Sequence, residues 1–278
     1  MIGVFHQVAH DCSRITTERY STSFSSAIRL LHKDLRGPIY DIYGLVRFAD
    51  EIVDTFHGYD KSSLLAAFKK ETYIAIDQKI SLNPILHSFQ ITVNKYNIDP
   101  ELIEAFFKSM EFDLNKSTYD ANGYAEYIYG SAEVVGLMCL YVFCDGDKDE
   151  YEKLKPSAQA LGAAFQKVNF LRDVKADYQQ LNRVYFPGVD FRDFTDKMKA
   201  EIEADIQNDF NAAYDGITKL PLKARFGVYL AYKYYLSLFK KIKAVQPQRI
   251  LEERIRIPNY QKAWVAAKVV VRTQLNML

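Results

Sequence analysis

The chain has 278 residues with 36 basic and 35 acidic side chains, which gives a formal net charge of +1 at pH 7. At about 150 residues per domain this length allows one large domain or two small ones. A composition of 49% hydrophobic and 26% charged residues is typical of a globular chain. The balanced charge argues against nucleic acid as a partner, because a phosphate backbone requires a basic excess.

Three cysteines without a C-x-x-C spacing argue against a disulfide framework and a zinc site, and favour a reducing, cytoplasmic compartment. The N-terminal residues lack a basic segment followed by an apolar run, so we expect no signal peptide. The longest apolar candidate, Val134 to Cys144, has about half of the ~20 residues that a spanning helix needs. We therefore expect no transmembrane anchor, and peripheral contact with the inner face of the membrane stays open.

Helical spacing of apolar residues dominates the chain, and strand alternation is scarce. With 20 Tyr and 18 Phe but only 12 Gly and 8 Pro, the composition indicates long helices around a large apolar interior. Caps and prolines predict helix starts, in chain order, at Gly37-Pro38 (running to about Phe56), Asn83-Pro84, Asp99-Pro100, Lys155-Pro156 (to about Leu181), Asp193 or Thr195 (through Tyr214) and Leu220-Pro221 (to about Val245).

The predicted loops lie at 56–62, 118–123, 145–149, 182–192 and 245–250, and none is long enough for a domain linker. We expect one all-α domain, residues 1–278, with about nine or ten helices.

The first polar pattern lies on the predicted helix that ends near residue 56. At about 100° per residue, its polar members fall within roughly 60° of the helix surface; they are Tyr43, Arg47, Asp50 and Asp54. The other face is predicted to be core, with Leu45, Val46, Phe48, Ile52 and Val53.

A second helix repeats the arrangement. Its polar face covers roughly 80° and consists of Gln166, Asn169, Asp173 and Asp177. The other face is predicted to be core and carries Val168, Phe170, Leu171 and Val174.

Carboxylates four residues apart on a helix are about 6 Å from each other, close enough to bridge a hard cation. Mg²⁺ prefers oxygen ligands, often one or two carboxylates together with substrate phosphates. Two facing D-x-x-x-D sets would therefore hold about two or three Mg²⁺ ions, with Mn²⁺ as an alternative, and through them a diphosphate. Clamping a leaving diphosphate in this way lowers the barrier to breaking its C–O bond.

The acidic pairs are open to other interpretations. One acidic pair alone is also typical of a solvated helix face. A di-iron bundle needs Glu-x-x-His on two helices, and only Asp54 and His57 approach that pattern. No Walker loop and no G-x-G-x-x-G occurs, so nucleotide binding has no support.

With these residues identified, the chain resembles the phytoene synthase and squalene synthase family of head-to-head prenyl transferases along nearly its whole length. Four segments carry the resemblance: an S-x-S-F element at 21–24, the first aspartate motif at 43–54, the second at 161–177, and R-x-Y-F-P at 183–187. One departure lies in the family pattern Y-x-Y-x-V-A-G-x-V-G at 127–136, where Ser131 and Glu133 differ. Because an unpaired buried carboxylate is costly, we expect Glu133 to turn away from the pocket or to meet a cation.

The resemblance implies a single-domain, all-α isoprenoid synthase bundle around a large central apolar cavity. It also implies two allylic prenyl diphosphates as substrates. One ionises, the double bond of the other attacks the allylic cation, and the resulting cyclopropyl diphosphate ionises and rearranges. Proton loss then yields phytoene, whereas hydride from NADPH yields squalene.

Residue roles follow from the same resemblance. Arginine can bind phosphate bidentately, and aromatic faces attract cations by ~0.5–2 kcal/mol. The implied catalytic residues are Tyr43, Arg47, Asp50, Asp54, Tyr127, Asn169, Asp173 and Asp177. The implied metal ligands are Asp50, Asp54, Asn169, Asp173 and Asp177. The implied substrate-binding residues are Ser21, Ser23, Phe24, Ala132, Gly136, Gln166, Arg172, Tyr185, Tyr235 and Arg254.

Within the family, phytoene synthesis from two geranylgeranyl diphosphates is favoured. The reason is that small residues on one helix would leave room in the pocket for a longer prenyl chain. These small residues are Gly130, Ser131, Ala132 and Gly136. Squalene or dehydrosqualene synthesis from farnesyl diphosphate is the alternative. A head-to-tail prenyl transferase would be expected to show D-D-x-x-D, which does not occur. A non-catalytic helical scaffold is disfavoured because all four aspartates are present. No motif indicates an oligomer.

Overall fold

Helices form nearly all of the structure, a computed structural model that describes residues 2–115, 118–179 and 183–274. Within these ranges the β-structure is limited to one isolated bridge between Thr118 and Val184. The helices described are α1 Ile2–Tyr20, α2 Thr22–Ile28, α3 Lys33–Asp54, α4 Lys61–Gln78, α5 Pro84–Tyr96, α6 Pro100–Asn115, α7 Ala121–Ile128, α8 Val134–Cys144, α9 Lys148–Gln179, α10 Asp196–Ile217, α11 Leu222–Lys243, α12 Pro247–Glu252 and α13 Asn259–Gln274. A π-helical segment, Tyr129–Glu133, joins α7 to α8.

Side-chain caps set several helix starts. The Asn83 side chain accepts a hydrogen bond from the backbone N–H of Ile85 at 3.1 Å, and α5 follows directly. Asp99 and Thr195 accept similar bonds at the starts of α6 and α10. These bonds satisfy N–H groups that a helix start leaves unpaired, and they confirm the predicted starts of α5, α6 and α10.

Two prolines lie inside helices, contrary to prediction. Helix α3 begins at Lys33 rather than at Pro38, and α9 begins at Lys148 rather than at Pro156. Each proline removes one backbone hydrogen bond, but the turn before it is held by buried side chains, Leu35 in α3 and Leu154 in α9. The predicted loop at 245–250 was also wrong in part, since α12 occupies 247–252. The predicted end of α9 at Leu181 lies outside the described residues.

The core consists of two apolar clusters. One is built mainly from α3, α4, α5, α6 and α8, with Phe89 and Leu137 fully buried. The other is built mainly from α9, α10 and α11, with Phe210 and Phe239 fully buried. The apolar faces predicted for the two aspartate helices lie in these clusters, except that Phe48 is 38% exposed. Its assignment to the core was wrong.

Glycines mark close contacts between helices near the π segment. A Cβ at Gly130 would lie 2.5 Å from the Ala105 carbonyl oxygen of α6, and one at Gly162 would lie 2.7 Å from the Ala132 carbonyl oxygen. Gly130 therefore lets two backbones approach and does not widen a pocket, which corrects the expectation for this residue.

The continuous helical stretch Ala121–Cys144 is longer than the apolar run predicted from sequence. It has a mean hydropathy of 1.5 and is half buried, so by length and composition alone it could cross a membrane. The core helix of a soluble protein passes the same test. In this structure α8 packs against α3, α6 and α9.

Candidate active site

A cavity of about 310 Å³ lies between the two apolar clusters. Its walls come from α2, α3, α8, α9, α10, α11 and the π segment, and they are almost entirely apolar. Seven of the catalytic and substrate-binding residues that the resemblance implies line it: Phe24, Tyr43, Ala132, Gly136, Gln166, Asn169 and Tyr235. A large apolar pocket with few polar groups is the usual form of a site for an apolar ligand.

The first aspartate pair lies on α3 beside the cavity-lining residue Tyr43. The Arg47 guanidinium donates to Asp50 Oδ2 at 2.5 Å and also binds Glu51. Burial raises the pKa of Asp50 to about 6, and the negative charge of Asp54 adds to this shift. Asp50 and Asp54 therefore repel one another in a poorly solvated environment.

The second aspartate pair lies on α9. Asp173 Oδ1 accepts a hydrogen bond from Arg172 Nε at 3.0 Å, and Arg254 Nε lies 2.7 Å from the same oxygen. Burial raises the pKa of Asp177 to about 7, and the charges of Asp173 and Asp54 contribute to the shift. Because the charge of Asp54 acts on Asp177, the two aspartate pairs lie near each other in the structure.

Three of the four carboxylates, those of Asp50, Asp54 and Asp173, pair with arginines in this arrangement. Among the described residues, no three His, Cys, Asp or Glu side chains form a ready metal cluster. The donor set nevertheless fits a divalent cation such as Mg²⁺, because it consists of oxygen ligands. Burial is the main cause of the raised pKa values of Asp50 and Asp177, and the repulsion from neighbouring carboxylates that adds to it is what such a cation would relieve.

A chain of hydrogen bonds runs from the second aspartate helix into the cavity wall. Tyr235 OH donates to Asn169 Oδ1 at 3.2 Å, and Asn169 Nδ2 donates to Gln166 Oε1 at 3.4 Å. Gln166 Nε2 then donates to Ser131 Oγ at 3.3 Å. The polar face predicted on α9 is therefore held in one orientation, and Ser131, one of the two departures from the family pattern, is part of it.

The second departure, Glu133, is not among the cavity-lining residues. Its Oε2 accepts a hydrogen bond from Gln159 Nε2 at 2.9 Å, and burial raises the pKa of Glu133. It turns away from the cavity, which is one of the two placements expected.

The S-x-S-F element lies at the start of α2. Ser21 Oγ accepts a hydrogen bond from the Phe24 backbone N–H at 3.1 Å, so this serine caps the helix. Burial raises the pKa of nearby Tyr43 to about 12. The Phe24 ring lies 5.9 Å from Tyr43 and 5.8 Å from Tyr235. Ser23 is half-buried in the same helix.

Tyr127 and Tyr185 do not line the cavity. Both are buried in an aromatic cluster in which Tyr185 stacks on Phe170 at 4.0 Å and Tyr127 stacks on Tyr185 at 5.2 Å. The Tyr127 hydroxyl donates to Asp113 Oδ2 at 2.8 Å. These two tyrosines therefore lie in an aromatic cluster beside Asp113, and they do not form part of the cavity surface.

Sequence reasoning missed two polar residues at this site. Asp113 is a buried carboxylate, and its position on the mostly apolar face of α6 was a usable signal. Lys262 donates to Thr22 Oγ1 at 2.8 Å, and burial together with the charge of Arg172 lowers its pKa. Lys262 is 240 residues from Thr22 along the chain, so no local pattern could reveal this contact.

Solved structures share this fold. A dehydrosqualene synthase in complex with a ligand superposes with a TM-score of 0.83 at 18% identity, covering 98% of each chain. A squalene synthase from Alicyclobacillus acidocaldarius superposes with a TM-score of 0.75 at 22% identity, covering 90% of this chain and 97% of the other. The fold is therefore that of the all-α isoprenoid synthases, as expected from the sequence.

The model of the squalene/phytoene synthase family matches residues 17–261. Among curated relatives, a 4,4'-diapophytoene synthase of Staphylococcus haemolyticus is 27% identical over 206 residues, which cover 71% of this chain and 68% of the relative. Phytoene synthase 2 of Solanum lycopersicum is 28% identical over 272 residues, which cover 87% and 84%. The chain belongs to the squalene/phytoene synthase family, whose members are prenyltransferases that condense prenyl diphosphates head to head with the help of divalent metal ions.

Proposed function

We propose that this protein condenses two molecules of geranylgeranyl diphosphate to phytoene, with Mg²⁺ and with release of diphosphate. The observation that carries the proposal is the cavity, which is almost wholly apolar and meets the polar faces of α3 and α9 at Tyr43 and Asn169. Such a site would bind a long hydrocarbon chain along its walls and a diphosphate at the aspartates. The similarity to a phytoene synthase over most of its length supports the C20 substrate.

The two substrate molecules have different roles in this reaction, one as the source of the allylic cation and the other as the nucleophile. The C1–O bond of the first breaks, and its electron pair leaves with the diphosphate. The double bond of the second attacks the allylic cation, and loss of a proton closes a cyclopropyl diphosphate. This intermediate loses its own diphosphate, rearranges and loses a second proton to give the conjugated C40 product. A bound divalent cation supplies charge neutralisation for the departing diphosphate.

The residues of this chain bind and orient the two diphosphate groups. Asp50, Asp54, Asn169, Asp173 and Asp177 would hold about two or three Mg²⁺ ions, or Mn²⁺ instead, through oxygen ligands. Three of the arginines that pair with the aspartates can donate two hydrogen bonds at once to diphosphate oxygens; they are Arg47, Arg172 and Arg254.

The aromatic rings on the cavity wall face the space in which carbocations would form. Phe165 stacks on Tyr235 at 3.9 Å, with Phe24 beside both. An aromatic face attracts a cation by ~0.5–2 kcal/mol. An apolar wall also excludes the water that would quench the cation.

The relatives also support a second candidate. Dehydrosqualene or squalene synthesis from farnesyl diphosphate is favoured by the similarity to the diapophytoene synthase. Incubation of purified protein with Mg²⁺ and either the C20 or the C15 diphosphate, with and without NADPH, separates these reactions. A C40 hydrocarbon that forms without NADPH and is lost with EDTA supports phytoene synthesis. A C30 product from the C15 substrate would move the assignment to the second candidate, and no product from either would leave a non-catalytic scaffold.

The cellular setting is part of the proposal. The three cysteines are free thiols, which supports a reducing, cytoplasmic compartment. The apolar product would partition into a membrane, so peripheral contact at the inner face fits this reaction.

A further inference from the structure

Arg183 holds two helices together beneath the first aspartate pair. Its side chain is only 7% exposed. Nη1 donates to Asp54 Oδ1 on α3 at 2.9 Å, and Nη2 donates to the backbone carbonyl of Asp113 on α6 at 2.9 Å. The neighbouring Val184 forms the β-bridge to Thr118, which fixes the backbone beside this arginine.

Asp113 offers Arg183 a second carboxylate. Its side chain is 4% exposed, and its Oδ2 accepts the hydroxyl hydrogen bond of Tyr127. Its Oδ1 is buried and has no hydrogen-bond partner among the described residues. Arg183 Nη1 lies 3.6 Å from that oxygen, just beyond hydrogen-bond range. A buried acceptor without a partner is unfavourable, so this oxygen is a vacant position for the guanidinium.

We propose that Arg183 is an internal counter-ion that binds Asp54 in the free enzyme and shifts onto Asp113 Oδ1 when a divalent cation occupies Asp54. Asp113 is then a positioning residue that receives the displaced arginine. The inference rests on the proposed function, because it requires Asp54 to be a metal ligand.

The geometry allows the shift with little movement. A displacement of under about 1 Å brings Nη1 within hydrogen-bond range of Asp113 Oδ1. The bond from Nη2 to the Asp113 carbonyl can act as the pivot. Asp113 itself stays in place, because the Tyr127 that holds it is packed against Tyr119 and Tyr185.

Arg47, which lies on α3 itself, also has two carboxylate partners. Arg47 binds Asp50, a predicted metal ligand, and at the same time Glu51, which is not one. Each aspartate of the first pair thus faces an arginine that has a second carboxylate within reach.

Competition between Arg183 and a cation can be measured as Mn²⁺ binding to the purified full chain without prenyl substrate, from the EPR signal of free Mn²⁺. Arg183→Gln removes the competing charge and should bind Mn²⁺ about tenfold more tightly, the scale of one hydrogen bond to a charged group. Asp113→Asn removes the receiving charge and should bind Mn²⁺ more weakly by a similar factor. The double variant should behave like Arg183→Gln, because Asp113 acts only through the arginine.

Two further variants serve as controls. Arg183→Lys keeps the charge and should bind Mn²⁺ like the wild type. Asp41→Asn removes another buried carboxylate on α3, 13 residues and about 20 Å from Asp54 along the helix, and should leave Mn²⁺ affinity unchanged. Circular dichroism identifies any variant that fails to fold; if Asp113→Asn does, the comparison of Arg183→Gln with Arg183→Lys still decides.

The outcomes separate the two claims. If wild-type protein binds no Mn²⁺, the metal site of the proposed function is wrong and the counter-ion role falls with it. If the wild type binds Mn²⁺ but Arg183→Gln binds it equally or more weakly, Arg183 has a purely structural role and only the counter-ion role is overturned.

Discussion

Replacing Gly162 by alanine tests whether backbone contact between α9 and the π segment shapes the cavity. The added Cβ would lie 2.7 Å from the Ala132 carbonyl oxygen and 2.9 Å from Glu133 Cα. Both are backbone atoms, so no side-chain rotation relieves the contact. Overpacking of this kind costs about 1–3 kcal/mol, offset by a gain of about 1 kcal/mol from replacing glycine within a helix. We expect net destabilisation of about 0–2 kcal/mol.

Gly3→Ala is the matched control, because a Cβ there meets nothing within 4 Å. It should be neutral or stabilising by at most about 1 kcal/mol. Urea denaturation monitored by circular dichroism compares the two variants through their midpoints at equal m-values. Gly162→Ala should have the lower midpoint and also a lower turnover, since Ala132 lines the cavity. If Gly162→Ala proves at least as stable as Gly3→Ala, the backbones are not in the contact described and the argument for a tightly apposed cavity wall fails.

Three further predictions concern the site and its support. Asp50→Ala or Asp173→Ala should abolish turnover while leaving the circular dichroism spectrum intact; near-normal turnover in both would contradict the metal assignment. Tyr235→Phe removes one hydrogen bond worth about 0.5–1.5 kcal/mol, so kcat/KM should fall about two- to twelvefold, and an unchanged value would show that this hydroxyl does not orient the site. The hydrogen bond to buried Asp41 raises the pKa of His10 above 6.5. The stability from this pair should therefore be fully present below about pH 6.5 and lost as the pH rises through the folded-state pKa. The gap in urea midpoint between wild type and His10→Gln should shrink from pH 6 to pH 8, and a gap that widens would reverse the sign.

Local signals predicted local structure well. The caps at Asn83, Asp99 and Thr195 were readable because the side chain bonds its own backbone within three residues. Proline was misleading at positions 38 and 156, because burial of the turn before it outweighs one lost hydrogen bond.

For the site, the sequence by itself determined which residues share a helix face, since that follows from 3.6 residues per turn. It placed Asp50 with Asp54 and Asp173 with Asp177, and the motifs identified the family. Only the tertiary structure decided that Arg183 faces Asp54, that Asp113 lies behind Arg183, and that Tyr127 is turned away from the cavity. These contacts join residues 14 to 129 positions apart. They depend on how whole helices pack, and no periodicity within a single helix encodes that packing.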